Sequence, residues 1–102
     1  MSSVHQPPAS LPDDAYRDIV KFAKLHDLQQ VVLFGSRARG DHQQRSDIDL
    51  AISGGNAHDY KYDLNQHGDS LRFFDVVDLD HTPSLPLRQE ISREGILIYE
   101  KI

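Results

Sequence analysis

From Ser46 to Ser53 the chain reads SDIDLAIS, and the alternation of polar and apolar positions fits one regular conformation, a β-strand. Successive side chains leave a strand on opposite faces, so Ile48, Leu50 and Ile52 point one way while Asp47 and Asp49 point the other. One face belongs to a core and the other is acidic. Asp is depleted in strands, and two carboxylates this close repel each other unless a cation offsets them. Hard Mg²⁺, which takes oxygen ligands and completes its shell with phosphates and water, meets that need. The plain alternative is an exposed strand face rich in Asp.

The preceding segment gives the pair a context. Gln30 to Phe34, QVVLF, is a short β-branched apolar run stopped by Gly35, the form of a buried strand. A strand that ends in Gly35-Ser36 and leads into residues able to start a helix presents backbone N–H groups and a hydroxyl, a natural anion site. Arg37 and Arg39, with Arg45 as a further candidate, add planar permanent charges suited to phosphate oxygens. A Gly-Ser turn beside arginines is by itself a common solvated connection. It is neither G-x-G-x-x-G nor a Walker A sequence. The formal net charge of -5 disfavours nucleic-acid binding through bulk basicity, so any phosphate contact must be local.

A third carboxylate on a neighbouring strand would complete a two-metal site of the kind that activates an attacking oxygen and holds a triphosphate. Leu71 to Leu79, LRFFDVVDL, reads as such a strand and offers Asp75 and Asp78, with Asp80 just beyond. Asp75 lies inside the apolar run, where a lone charge is costly without a partner. Asp78 points to the opposite face from Asp75, and Asp80 sits where a turn is expected. Asp75 is the chosen third ligand, with Asp78 held in reserve.

The rest of the chain fills in a single α/β unit. Residues 1–10 carry no periodic apolar pattern and read as a flexible tail. Ser10 is placed to cap a helix in which Ala15, Ile19, Phe22 and Ala23 recur at helical spacing to about His26. Gly54-Gly55 marks a turn, and Asn56 to Ser70 carries Tyr60, Leu64 and His67 at roughly helical intervals. Pro83 to Arg93 reads as a short helix with Leu87 and Ile91 inward, ended at Gly95, and Ile96 to Tyr99 as a last strand. At 102 residues there is room for one domain and none for a separate substrate module. The expected fold is α/β (α+β), about four short strands in a mixed sheet with flanking helices. The absence of cysteine excludes disulfides and thiolate zinc, and no segment resembles a signal peptide or a bilayer span of about 20 apolar residues. A cytoplasmic protein with no membrane association and no stable nucleic-acid binding is expected.

GSRARG at Gly35 to Gly40, SDIDL at Ser46 to Leu50 and FDVVDL at Phe74 to Leu79 together resemble the minimal nucleotidyltransferases of the DNA polymerase beta superfamily. The closing EISREGILIYE, Glu90 to Glu100, is similar to the end of those domains, so the likeness runs from about Val31 to Tyr99. It implies a nucleotidyltransferase fold over residues 11–102, with a nucleoside triphosphate held at Gly35 and Ser36 and steadied by Arg37 and Arg39. It implies two Mg²⁺ ions on Asp47, Asp49 and Asp75, and transfer of a nucleoside monophosphate, commonly AMP from ATP, to an acceptor hydroxyl. Minimal domains of this kind are often encoded beside a HEPN-domain toxin and act as its antitoxin by modifying a tyrosine. A hetero-oligomer with such a toxin is therefore expected.

Two other readings stand beside this one. A catalytically silent antitoxin would neutralise its partner by stoichiometric binding, and a metal-dependent phosphohydrolase would use the same carboxylates without transfer. The Gly-Ser anion turn speaks against the second. The six histidines are scattered without ligand spacing, which favours surface or capping roles. Phe73 and Phe74 should face opposite sides of their strand, and Tyr16, Tyr60 and Tyr62 read as core or rim.

Overall fold

A computed structural model describes residues 2–4, 10–43, 46–70, 72–81 and 84–101. The strand predicted from the alternation is β3 (Ile48–Ser53), the third in a chain order of β1 (Ser2–Val4), α1 (Asp13–Leu25), β2 (Gln30–Phe34) and α2 (Ser36–Arg39). After it come α3 (Ala57–Gln66), β4 (Phe74–Asp78), α4 (Leu85–Glu94) and β5 (Ile96–Lys101). The sheet is mixed, in the order β1-β5-β2-β3-β4. Every neighbouring pair is antiparallel except β3 and β4, which run parallel because α3 carries the chain back to the starting edge.

The four expected strands are present, and a three-residue fifth joins them at the edge. Here the expected tail is corrected: Ser2, Ser3 and Val4 pair with Lys101, Glu100 and Tyr99. Main-chain groups alone satisfy this pairing, so it leaves no apolar periodicity to read. Ser10 is also not the cap of α1; Pro12 holds that position without a side-chain bond, and the Ser10 hydroxyl donates to the carbonyl of Arg37 at 2.6 Å.

Alternation divides the core into two layers. Ile48, Leu50, Ile52 and Phe74 pack with Ile19, Phe22, Tyr60 and Leu64 of α1 and α3, while Phe34 and Ala51 pack with Ile91 of α4 on the other face. Tyr60 is wholly buried, and its hydroxyl donates to the carbonyl of Ile19 at 3.1 Å, tying α3 to α1; burial drives its pKa far up. Helix α3 is capped by Asn56, which accepts from the Asp59 N–H at 3.0 Å, and it ends at Gln66 rather than continuing to Ser70. Phe74 is buried and Phe73 half exposed, in keeping with their opposite faces.

Strand β4 closes the sheet and needs protection along its outer edge. The Ile48 N–H donates to the Phe73 carbonyl at 3.0 Å and the Leu79 N–H to the Ile52 carbonyl at 2.8 Å, so odd-numbered positions bond inward to β3. The main chain of Phe74 therefore faces outward. There the Asn65 amide supplies both missing partners, accepting from the Phe74 N–H at 2.8 Å and donating to its carbonyl at 3.0 Å. Asn65→Ala removes both bonds and is expected to lower stability by about 1 kcal/mol, a fall of about 4–8 °C in the thermal midpoint followed by circular dichroism.

Candidate active site

Gly35 ends β2 with φ 76° and ψ -154°, a backbone region essentially reserved for glycine. Its carbonyl accepts from the N–H groups of Ala38 and Arg39, both at 3.1 Å, which closes the short helical turn α2. A Cβ at Gly35 would collide with Oδ2 of Asp49 and lie 3.1 Å from its Cγ. The Gly-Ser turn and the second acid of the DID sequence are thus in direct apposition. Glycine at this position leaves room for the carboxylate.

Asp49 pairs in register with Phe34 of β2 on one side and Asp75 of β4 on the other. Residues in register on adjacent strands share a face, so Asp49 and Asp75 stand side by side, on the face opposite Ile48 and Leu50. Asp47 lies just ahead of β3 and, like Asp75, is exposed. Burial pushes the Asp49 carboxyl above its usual value, and the negative charges of Asp75, Asp47 and Glu90 add to that shift; Arg39 opposes it. Asp49 is therefore a partly buried carboxylate whose surroundings are mostly like-charged. That donor chemistry fits a hard divalent cation held by Asp47, Asp49 and Asp75. Among the described residues, however, no three His, Cys, Asp or Glu side chains converge closely enough to form a metal-binding group.

The two other acids of the β4 region have different work. Asp78 lies in register with Ile52, three positions further along the strand, and its carboxylate binds His81 Nδ1 at 2.7 Å and the Asp80 N–H at 3.0 Å. Asp80 accepts from the Gly54 N–H at 2.7 Å and joins the two loops. Asp78 ends β4 and its carboxylate braces the turn that follows, while Asp80 lies in that turn.

The arginines separate as well. Arg39 is exposed and lies within electrostatic reach of Asp49; Nε donates to Asp41 at 3.1 Å and Nη1 to Glu94 at 3.0 Å. Arg37, expected beside it as a phosphate ligand, is only 3% exposed, and its guanidinium donates to the carbonyls of Ser10 and Ser46. Burial, reinforced by the Arg72 charge, lowers its pKa. One-residue steps around a tight helical turn send neighbouring side chains in different directions, so two arginines spaced by two do not share a role. Arg45 lies outside the described residues.

Sequence reasoning missed Glu90 and Glu94 of α4. Their signal was positional: Leu87 and Ile91 point inward, and Glu90 and Glu94 each fall three residues beyond one of them, at the border of the same helix face. Among the described histidines, His26 binds Asp63 at 2.6 Å between the end of α1 and α3, and His81 binds Asp78 at 2.7 Å. No helix among the described residues is long and apolar enough to cross a membrane.

Comparison with known proteins gives the family and the fold. The family profile described as "Polymerase beta, Nucleotidyltransferase" matches residues 17–102. A Methanocaldococcus jannaschii protein, whose name provisionally makes it a protein adenylyltransferase, is 49% identical over 37 residues, which span 36% of this chain and 37% of that relative. A crystal structure described as a toxin-antitoxin with AMP-PNP superposes with a TM-score of 0.64 and 28% identity, over 80% of this chain and 70% of that one. A second, the toxin-antitoxin MntA-HpeT with two aspartates changed to glutamate, gives a TM-score of 0.63 and 26% identity over the same shares of the two chains.

Proposed function

Since the chain belongs to the polymerase beta nucleotidyltransferase family, we propose that it transfers AMP from ATP to a hydroxyl of a partner protein, a tyrosine of a HEPN-type toxin, and so acts as an antitoxin. The observation that carries this reading is the apposition of Gly35, Asp49 and Asp75 on one sheet face. The described structures with AMP-PNP and with a toxin partner support the nucleotide and the partner class, and the replaced aspartates in the second have the spacing of Asp47 and Asp49.

In this mechanism Asp47, Asp49 and Asp75 are the residues that would hold Mg²⁺, which when bound would neutralise triphosphate charge and lower the pKa of the attacking hydroxyl. Ser36 and the main chain after Gly35 bind phosphate oxygens. Arg39 adds a charge-assisted donor. Asp75, exposed on the outermost strand, is open to the incoming acceptor and takes its proton. The acceptor oxygen bonds to the α-phosphorus as the bond to the pyrophosphate oxygen breaks. Catalysis is by positioning and charge complementarity, with no covalent enzyme intermediate.

Labelled ATP, Mg²⁺ and the protein encoded beside this one provide the test. Label should pass to the partner with the wild-type chain and not with Asp47→Asn plus Asp49→Asn. If the double variant neutralises the partner fully and neither protein transfers label, the stoichiometric reading replaces this one.

Arg39 also gives a prediction about nucleotide affinity. Its guanidinium is shared by Asp41 and Glu94, so a triphosphate competes with two carboxylates for it. Exposed pairs of this kind are weak, and Glu94→Gln should tighten ATP binding about 2–5-fold in a fluorescence titration, with the gain shrinking as salt rises. Weaker binding by the variant would show that Glu94 braces Arg39 rather than competing for it.

A further inference from the structure

Arg37 offers the strongest unexplained arrangement. Burying a guanidinium is unfavourable unless its donors are met, and here they are met by main-chain oxygens from two distant segments. Nη1 donates to the Ser10 carbonyl at 2.7 Å, while Nε and Nη2 share the Ser46 carbonyl at 3.3 and 3.1 Å. The Ser10 hydroxyl returns a bond to the Arg37 carbonyl at 2.6 Å. Ser46 directly precedes Asp47, and its hydroxyl accepts from the Gln43 N–H at 2.8 Å, which folds the loop after α2 back on itself. The short turn that places Gly35 against Asp49 thus also grips the residue next to Asp47.

We infer that Arg37 is a positioning residue that acts through Ser46 to fix Asp47 relative to Asp49, with Ser10 as its second anchor. Ser10, ahead of α1, then belongs to the scaffold of the site. Lysine is a poor substitute, since a single ammonium lacks the planar fork that reaches two carbonyls on different segments. The inference rests on the nucleotidyl-transfer reading for its kinetic consequence, but the placement of Asp47 is open to a separate measurement.

Full-length wild type, Arg37→Met, Arg37→Lys and Ser10→Ala are compared with the toxin partner for kcat and KM, and alone for Mn²⁺ affinity by electron paramagnetic resonance. Arg37→Met should lower kcat about 10–100-fold, the scale expected when a reacting group is misplaced by about 1 Å, with the KM for ATP within about twofold. Mn²⁺ affinity should fall with kcat, Arg37→Lys should lie between Arg37→Met and wild type, and Ser10→Ala should show a smaller loss of about 3-fold. If Arg37→Met does not fold, Arg37→Lys and Ser10→Ala carry the comparison. A raised KM at unchanged kcat would make Arg37 a triphosphate ligand and overturn the inference. Should the wild type transfer nothing, the transfer reading fails by itself; unchanged Mn²⁺ affinity in Arg37→Lys, or none in the wild type, would then overturn this one.

Discussion

Asp49→Asn is expected to abolish transfer, by about 10³-fold or more, while making the protein more resistant to heat at pH 7. The two effects have one cause. Burial and the charges of Asp75, Asp47 and Glu90 raise the folded-state pKa of Asp49 above its usual 3.8. A carboxyl with a raised folded pKa binds its proton more tightly in the folded chain, so stability declines as pH rises from the unfolded value through the folded one. At pH 7 the wild type carries that penalty and an amide does not. The thermal midpoint of Asp49→Asn should therefore exceed that of the wild type at pH 7. The difference should close as pH falls towards 3.8. Mg²⁺ should raise the wild-type midpoint by mass action and leave the variant unmoved. A variant that melts below the wild type at pH 7 would mean the carboxylate is stabilised where it stands, and the charge argument would fail.

Gly35→Ala should lower both stability and activity. Its φ of 76° with ψ of -154° costs a residue with a side chain about 1–3 kcal/mol. That corresponds to a midpoint lower by roughly 5–20 °C. The new methyl group would also meet the Asp49 carboxylate and push it from its place beside Asp75, and displacement on that scale removes about 10²-fold or more of the activity. Gly40→Ala separates the two effects. Gly40 has a φ of 88° but nothing within 4 Å of a Cβ, so it should lose stability and keep its transfer rate. Equal loss of activity in both variants would show that backbone strain, and not collision with Asp49, governs the result.

The strands were legible because their burial writes itself into local pattern. Alternation at Ile48–Ser53 and the apolar run at Gln30–Phe34 each report a face or a pair of faces removed from water. Helix α3 was legible from only a few positions, since Tyr60 and Leu64 are its buried contacts, and its end fell short of the expected one. Strand β1 was not legible. Its main-chain pairing with β5 is indifferent to side-chain type, so Ser2–Val4 read as tail.

The site divides in the same way. The closeness of Gly35 and Asp47 to Asp49 was legible because these residues lie in one short stretch, where strand periodicity and turn geometry operate over a few residues. The same stretch misleads about Arg37, because burial depends on what packs over a side chain, and its partners Ser10 and Ser46 come from outside α2. Glu90 and Glu94 were overlooked because α4 reaches the acids only by packing across the sheet face.

Local pattern alone carries a strand with one acidic face, a glycine turn ahead of it, and an order of preference among the acids of a later strand. Docking of the strands settles which acid stands beside Asp49. Local pattern favours Asp75 over Asp78, but neither has a place until β4 docks parallel to β3 in a particular register, and that register is set by α3 and by burial of Phe74 against the core. A shift of one residue would exchange the faces of β4 and bury Asp75 in place of Phe74. The cost of burying that charge holds the register, and the register brings the third carboxylate to the site.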